Sequence, residues 1–505
     1  MFQDGTGTTY QRLLSEPVLE TLTEAAKKVE HILKHPRDSL IVLSGCGTSG
    51  RLAFLMASAF NRALRELDHG LVYSYIIAGG DRALLSSQEA PEDDAELGVL
   101  SLQRGQKSVL FIGISCGLSA PFVAGQLDFC LQHPEVYTPV LVGFNPTHQA
   151  RDERIPGCSF TFQAISGSSR MKGGSATKIL LEAVLSAAHA AAFADTPITP
   201  MGIREDMSVH EKTLEITYAQ AEGIGALLEA AGQSLRRGGR LCYLGWGSLG
   251  TLGLVDASEC VPTFGADVRG FISGGYRALN NNEGPLGPDF SIAHQDFLHQ
   301  VLPSLTDRDV VLLLYTHADR VGEVAELARA AREKTSNVHA VYHRVDGDTA
   351  AAVQQVTVCP SVFPSQWELS TKLVLNAVST GAHVLKGKIY QNYMVDVQVT
   401  NSKLYRRATR LLQVSKKCTF EALLKAVYRV DELTADITSS DIIEHAQAAR
   451  SATKAVPLAL VCLLSDCSLL EAGTRLEREP IVREALEACL ESGNKRLPLR
   501  RSTVT

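Results

Sequence analysis

The stretch Ser44-Gly45-Cys46-Gly47-Thr48-Ser49-Gly50-Arg51, directly after the apolar run Leu40-Ile41-Val42-Leu43, decides the fold. A glycine-rich turn from a strand into a helix presents free backbone N–H groups and the positive end of the helix dipole. Thr48 and Ser49 add hydroxyl donors, and Arg51 either adds charge or pins the loop. The turn therefore reads as a phosphate receptor. Gly45, Gly47 and Gly50 also satisfy G-x-G-x-x-G. A dinucleotide site would want an acidic residue ending the next strand to hold the ribose. Here that strand ends in Ala78-Gly79-Gly80, which argues against a nicotinamide cofactor. No Gly-Lys-Ser/Thr follows four variable residues, so a Walker loop is excluded.

The frame returns in worn form as Tyr243-Leu244-Gly245-Trp246-Gly247-Ser248-Leu249-Gly250-Thr251, an offset of 200 that also relates Leu52 to Leu252. Ile77–Leu84 matches Ile272–Leu279 at an offset of 195, and Thr177-Lys178 matches Thr371-Lys372 at 194. Matched blocks in one order, with so little drift, mean a duplicated domain; the period is too long for a solenoid. One copy keeps the hydroxyls and the arginine, and the other keeps the glycines and one serine.

Each half alternates strands and helices. Leu40–Leu43, Tyr73–Ala78, Ser108–Ile114 and Pro139–Gly143 are short apolar runs, as are Leu241–Leu244, Val268–Ile272, Val310–Tyr315 and Val338–Tyr342. Near-continuous apolarity implies parallel strands covered on both faces, with sites at the strand C-termini. Arg51–Glu66 and Ala120–Leu131 read as amphipathic helices, and Asn401–Val414, Thr419–Val430 and Ser440–Ala449 as a helical C-terminal region ending in a frayed tail from Lys495. The expected fold is α/β: two tandem αβα sandwiches, each on about five parallel strands, and an α-helical C-terminal domain. The boundaries read as a lead-in over 1–28, a first domain over 29–205, a degenerate repeat over 206–388 and helices over 389–505.

The bulk numbers exclude several partners. A net charge of −6 gives no reason to expect nucleic acid or an anionic membrane. The eleven cysteines, without a C-x-x-C pair, suggest reduced thiols in a cytosolic or nuclear compartment. Ile179–Ala194 contains Glu182 and His189 and reads as a buried helix, not a membrane span. The N-terminus has neither the basic start nor the apolar core of a signal peptide. The expectation is a soluble intracellular protein.

Two further hydroxyl-rich turns lie in the first half: Ser115-Cys116-Gly117-Leu118-Ser119 after a strand, and Ser166-Gly167-Ser168-Ser169-Arg170-Met171-Lys172 before a helix. Each alone is an ordinary helix cap and turn. Three on one sheet edge suggest a pocket for a phosphorylated polyol.

Gly-Thr-Ser-Gly-Arg, Ile-Ala-Gly-Gly, Ala-Pro-Glu-Asp-Asp, Gly-Ser-Ser-Arg-Met-Lys-Gly-Gly-Ser-Ala-Thr-Lys, Met394-Val395-Asp396-Val397 and Thr400-Asn401-Ser402-Lys403-Leu404 resemble tandem sugar isomerase (SIS) domain proteins of the glucokinase regulatory protein family. The resemblance spans essentially the whole chain and extends more distantly to bacterial N-acetylmuramic acid 6-phosphate etherases. It implies a phosphosugar site: Gly47, Thr48, Ser49 and Gly50 for the phosphate, Glu92 for sugar hydroxyls, Ser115, Gly117 and Ser119 from the second turn, Ser169 and Arg170 from the third, and Asn401 and Lys403 from the C-terminal region. It implies an enzyme inhibitor of the cytoplasm and nucleus that binds glucokinase, with inhibition favoured by fructose 6-phosphate and relieved by fructose 1-phosphate. No cofactor, metal or catalytic residue is implied.

The alternatives are an etherase-like lyase and a phosphosugar-binding pseudo-enzyme. The etherases use one glutamate in Ala-Glu-Asp and one in Asp-Ala-Ser-Glu-Cys. Glu92 supplies the first, but the second motif occurs only as Asp256–Cys260 in the worn half, with Ala59 at its place in the intact half. The two carboxylates are therefore expected to be split between sites, unless a rearranged site forms across the domain interface, and acid–base elimination needs both at one substrate. The chain also departs from the family: it starts late, only Gln163-Ala164-Ile165 separates Phe162 from Ser166, and Val362–Trp367 runs straight into Glu368–Lys372 where the family's apolar glucokinase-docking loop belongs.

Overall fold

The computed structural model describes residues 13–102, 108–144, 157–158, 170–264, 267–345, 356–412 and 419–492. Strands β1 (Ser39–Gly45), β2 (Tyr73–Ile77), β3 (Ser108–Ile114), β4 (Tyr137–Val142) and the short β5 (Gly157–Cys158) form a parallel sheet in the order β2-β1-β3-β4-β5. A second parallel sheet repeats this order with β6 (Leu241–Gly245), β7 (Val268–Ile272), β8 (Val310–Thr316) and β9 (Val338–His343) as β7-β6-β8-β9. Among the described residues, its fifth position carries only the bridge Val341–Val358. All seven residues of β8 are buried, as a central strand covered on both faces requires.

In both halves the chain reverses its direction of winding between the first and third strands, so the crevice at the switch point opens over the glycine turn. Gly47 and Gly247 both sit at φ +51° and start the helices Thr48–Glu66 and Gly247–Phe264. A Cβ on Gly50 would lie 2.5 Å from Ile77 Cγ1 and 2.6 Å from the Gly45 carbonyl, and one on Gly250 2.8 Å from the equivalent atoms of Ile272 and Gly245. Helix–strand packing therefore demands Gly45, Gly50 and their counterparts Gly245 and Gly250, while the positive φ demands Gly47 and Gly247.

The two sheets share one hydrophobic core running from Leu13 to Ala382, which the helices Glu16–Lys34, Lys172–Phe193, Pro200–Tyr218, Ala221–Arg236 and Trp367–Leu385 complete. Lys172–Phe193 is long and apolar enough to cross a membrane, but it is mostly buried against Glu16–Lys34, Thr48–Glu66 and Pro200–Tyr218. Polar ties cross between the halves as well. The buried Asp81 carboxylate accepts hydrogen bonds from Tyr75 Oη (2.6 Å), Asn281 Nδ2 (2.8 Å) and the Glu283 backbone (2.6 Å).

The C-terminal region has a separate core. A hairpin of β10 (Ile389–Tyr390) and β11 (Tyr393–Met394) leads into helices Ser402–Leu412, Thr419–Tyr428 and Ile442–Ala449, close to the sequence expectation. Ala455–Ser465, Leu469–Arg478 and Val482–Ser492 are helices the sequence reading did not find. The tail from Lys495 lies outside the described residues.

Candidate functional site

The helix Thr48–Glu66 points its N-terminus into a crevice of about 730 Å³, counting its open mouth. Ser49 is 6% exposed, and its Oγ lies 3.4 Å from Cys116 Sγ, so the second turn braces the first. Burial raises both the Cys46 and the Cys116 thiol, which favours their neutral forms. In the worn copy Trp246 takes the place of Cys46 and packs on His294, with ring centroids 4.7 Å apart.

One wall is the acidic turn Ala90–Asp93, and over it lies the helix Ser402–Leu412. Asp93 accepts from the Ser402 backbone (2.9 Å) and hydroxyl (2.7 Å), a carboxylate at a helix N-terminus where the dipole favours it. Asn401 is fully buried and donates to Glu89 (2.7 Å) and Glu92 (3.4 Å). Lys403 Nζ donates to Glu92 Oε2 at 2.6 Å. Burial, together with neighbouring Glu89, raises Glu92 despite that ammonium; Lys403 is lowered by burial but raised overall by Glu92 and Glu89, so it stays charged. Arg407, one turn further along the helix, also faces the crevice.

The opposite wall comes from the second half. Glu259, on the helix Gly247–Phe264, accepts a 2.5 Å hydrogen bond from Thr48 Oγ1. It lies 3.9 Å from Arg51 Nη1 and 3.6 Å from Arg170 Nη1. Arg51 is 1% exposed, and its Nε and Nη2 make no hydrogen bond among the described residues. Burial lowers its pKa, partly offset by Glu259. Arg170 is held by Asp256 Oδ1 (3.0 Å), Ser379 Oγ (3.0 Å) and Thr380 Oγ1 (2.8 Å), all in the second half.

This geometry corrects the sequence reading. Glu92 and Glu259 are not split between two sites; both line one crevice, because the helix of the worn half presses its Asp-Ala-Ser-Glu-Cys segment against the intact loop. Of the expected residues, Gly47, Thr48, Ser49, Glu92, Arg170 and Lys403 line it. Gly50, Ser115, Gly117, Ser119 and Asn401 are not among the lining residues; Gly50 packs against Ile77, and Asn401 anchors the lid helix to Glu89. Ser169 lies outside the described residues, as do Gln163-Ala164-Ile165. The sequence reading missed Glu259 as a partner of this pocket, and also Ser87, Glu89, Gln398 and Arg407. The offset-200 match of Asp256–Cys260 carried the signal for Glu259; the others had none.

Two switch-point sheets, one intact anion loop and a helical lid define a tandem SIS-domain protein. Models of the glucokinase regulatory protein N-terminal SIS domain, second SIS domain and C-terminal lid domain match residues 24–131, 218–367 and 391–486. The glucokinase regulatory protein of Xenopus laevis is 44% identical over 96% of this chain and 87% of its own length, and that of Homo sapiens 40% over 97% and 87%. The chain belongs to the glucokinase regulatory protein family, whose members are regulators rather than enzymes. An N-acetylmuramic acid 6-phosphate etherase from an Exiguobacterium species is 33% identical over 57% of this chain and 94% of its own.

Proposed function

We propose that this chain binds and inhibits glucokinase under phosphosugar control, with fructose 6-phosphate favouring the inhibitory form and fructose 1-phosphate relieving it. What supports the reading is a crevice with the chemistry of a phosphorylated polyol: helix N-terminal donors and cations for a phosphate, and the Glu92 and Glu259 carboxylates for hydroxyls. Its walls come from both halves and from the lid, so a ligand that prefers one arrangement of these parts shifts their equilibrium. The expected compartment is the cytoplasm and nucleus.

The alignment to the Xenopus relative runs over 544 positions, more than the 505 residues of this chain, so that relative carries segments missing here. At the junction Val362–Lys372 the backbone passes directly through the turn Pro364–Gln366 into the helix Trp367–Leu385, leaving Phe363 60% exposed. The deciding experiment is a glucokinase rate assay with the chain and each fructose phosphate in turn. Inhibition strengthened by fructose 6-phosphate and relieved by fructose 1-phosphate supports the reading. Tight phosphosugar binding without inhibition overturns the glucokinase part and leaves a sugar-phosphate-binding protein.

Two further outcomes are expected. Ser49→Ala weakens fructose-phosphate binding by about 1–3 kcal/mol, the range for a lost hydrogen bond to a charged group; calorimetry reads this directly, and an unchanged affinity would place the phosphate elsewhere. Incubation with N-acetylmuramic acid 6-phosphate releases no lactate. Release of lactate would instead favour the etherase-like alternative, since Glu92 and Glu259 line one crevice.

A further inference from the structure

The duplication supplies its own comparison for one buried lysine. Lys178 and Lys372 occupy matching positions, 194 residues apart, on the helices Lys172–Phe193 and Trp367–Leu385. Both ammonium groups are buried, at 0% and 4% exposure, and each crosses to the first turn of the other half's helix. Lys178 pairs with Glu368 there at 3.2 Å and with Glu182 on its own helix at 2.8 Å. The same offset puts Asn376 in the place of Glu182 and Gly174 in the place of Glu368. Lys372 Nζ accordingly donates to neutral acceptors, Asn376 Oδ1 at 2.6 Å and the Arg170 carbonyl at 3.0 Å. Among the described residues no carboxylate lies within ion-pair distance of it.

Its location gives that difference a use. A Cβ on Gly174 would lie 3.1 Å from Lys372 Nζ and 3.2 Å from Thr48 Cγ2, so the ammonium sits directly behind the phosphate loop. Around it are Asp256 and Glu259 on the helix Gly247–Phe264, Arg170 ahead of the helix Lys172–Phe193, and Cys116 on the turn after β3. With Arg51 beyond Glu259, three buried cations (Arg51, Arg170 and Lys372) face two carboxylates. Glu89 and Glu92 lie on the far wall with Lys403 and Arg407, so Lys372 is the cation of this group held by neutral acceptors alone.

We propose that Lys372 is a positioning residue for the anionic ligand, a buried charge from the second half that the bound phosphate neutralises through the wall of the loop. This rests on the phosphosugar reading of the crevice. The lysine's own environment supplies the test. Burial lowers Lys372 to about 8, with Glu259 opposing, whereas at Lys178 the carboxylates overcome burial and raise it. An anion in the crevice favours the charged form, so binding takes up a proton wherever the free protein has lost it. Affinity is therefore full below about pH 8 and falls by about tenfold between pH 7 and pH 9. The phosphate itself titrates near pH 6, outside this window.

The experiment is titration of fructose 6-phosphate into the full chain at pH 7 and pH 9, with proton uptake read at pH 8.5 by calorimetry in buffers of different ionisation enthalpy. Wild type is expected to lose affinity at pH 9 and to take up a proton. Lys372→Arg, charged throughout, keeps the affinity at both pH values with no proton uptake. Lys372→Met binds about tenfold or more weakly, with no pH dependence. Should the methionine variant not fold, wild type and Lys372→Arg still decide. Binding at pH 7 that stays flat to pH 9, or a loss that persists in Lys372→Arg, overturns the assignment. No binding at pH 7 overturns the phosphosugar reading, and this inference with it.

Discussion

Arg170→Ala is expected to lower folding stability by about 3–5 kcal/mol, the cost of removing one partner from a buried ion pair. Arg170 is 5% exposed and Asp256 3%. Without the guanidinium, the Asp256 and Glu259 carboxylates face each other across one helical turn with their nearest shared cation gone. Asp256 would keep Tyr243 Oη (2.9 Å), Asn376 Nδ2 (3.1 Å) and Ser379 Oγ (3.1 Å), which satisfy its lone pairs without cancelling its charge. Ser379 and Thr380 would lose the donor that ties their helix to the first half. Urea unfolding checks the prediction through a lower midpoint. Arg170→Lys should recover only part of the loss, because one ammonium cannot serve Asp256, Ser379 and Thr380 from a planar fork. An unchanged midpoint would mean that the neutral donors around Asp256 suffice.

The same residue marks where reading the chain as a string stops working. The strands were legible because parallel strands buried on both faces are near-continuous apolar runs, and eight of the nine described in the two sheets lie at nearly the limits read from the sequence. The duplicated glycines were legible too. Their persistence in the worn copy follows from the clash a Cβ would make at Gly50 and Gly250, whereas the hydroxyls and arginine, which packing does not require, changed. The helix Ala455–Ser465 was missed because Ala-Val-Pro-Leu-Ala-Leu-Val-Cys-Leu-Leu-Ser is apolar all round and shows no amphipathic period.

The site was half legible. Residues within one motif, such as Thr48, Ser49 and Glu92, came out in the crevice. Contacts between halves did not, since no spacing in the sequence says which face of one sandwich meets the other. Glu259 was therefore assigned to the worn half's own loop, although that half lends it to its neighbour. Arg407 was passed over because an arginine on an amphipathic lid helix looks like any solvated charge until the helix is seen to close a pocket.

Both halves of the chain build one crevice, the proposed phosphosugar pocket, and Glu259 is the residue through which the second half enters it. Its carboxylate is the second half's contribution nearest the phosphate loop, 2.5 Å from Thr48 Oγ1. Losing it would free the Thr48 hydroxyl, remove an acceptor for sugar hydroxyls and leave the buried Arg51 without its nearest carboxylate. A carboxylate–hydroxyl hydrogen bond contributes about 1.5–3 kcal/mol, and reorganisation around an unpaired Arg51 adds to that. The decisive measurement is calorimetric titration of fructose 6-phosphate into wild type and Glu259→Ala, with folding of both checked by urea unfolding. The expected result is one ligand per wild-type chain and a loss of about 100-fold or more in the variant. Binding that is unchanged or tighter in folded Glu259→Ala would contradict it, because the first half would then hold the ligand alone.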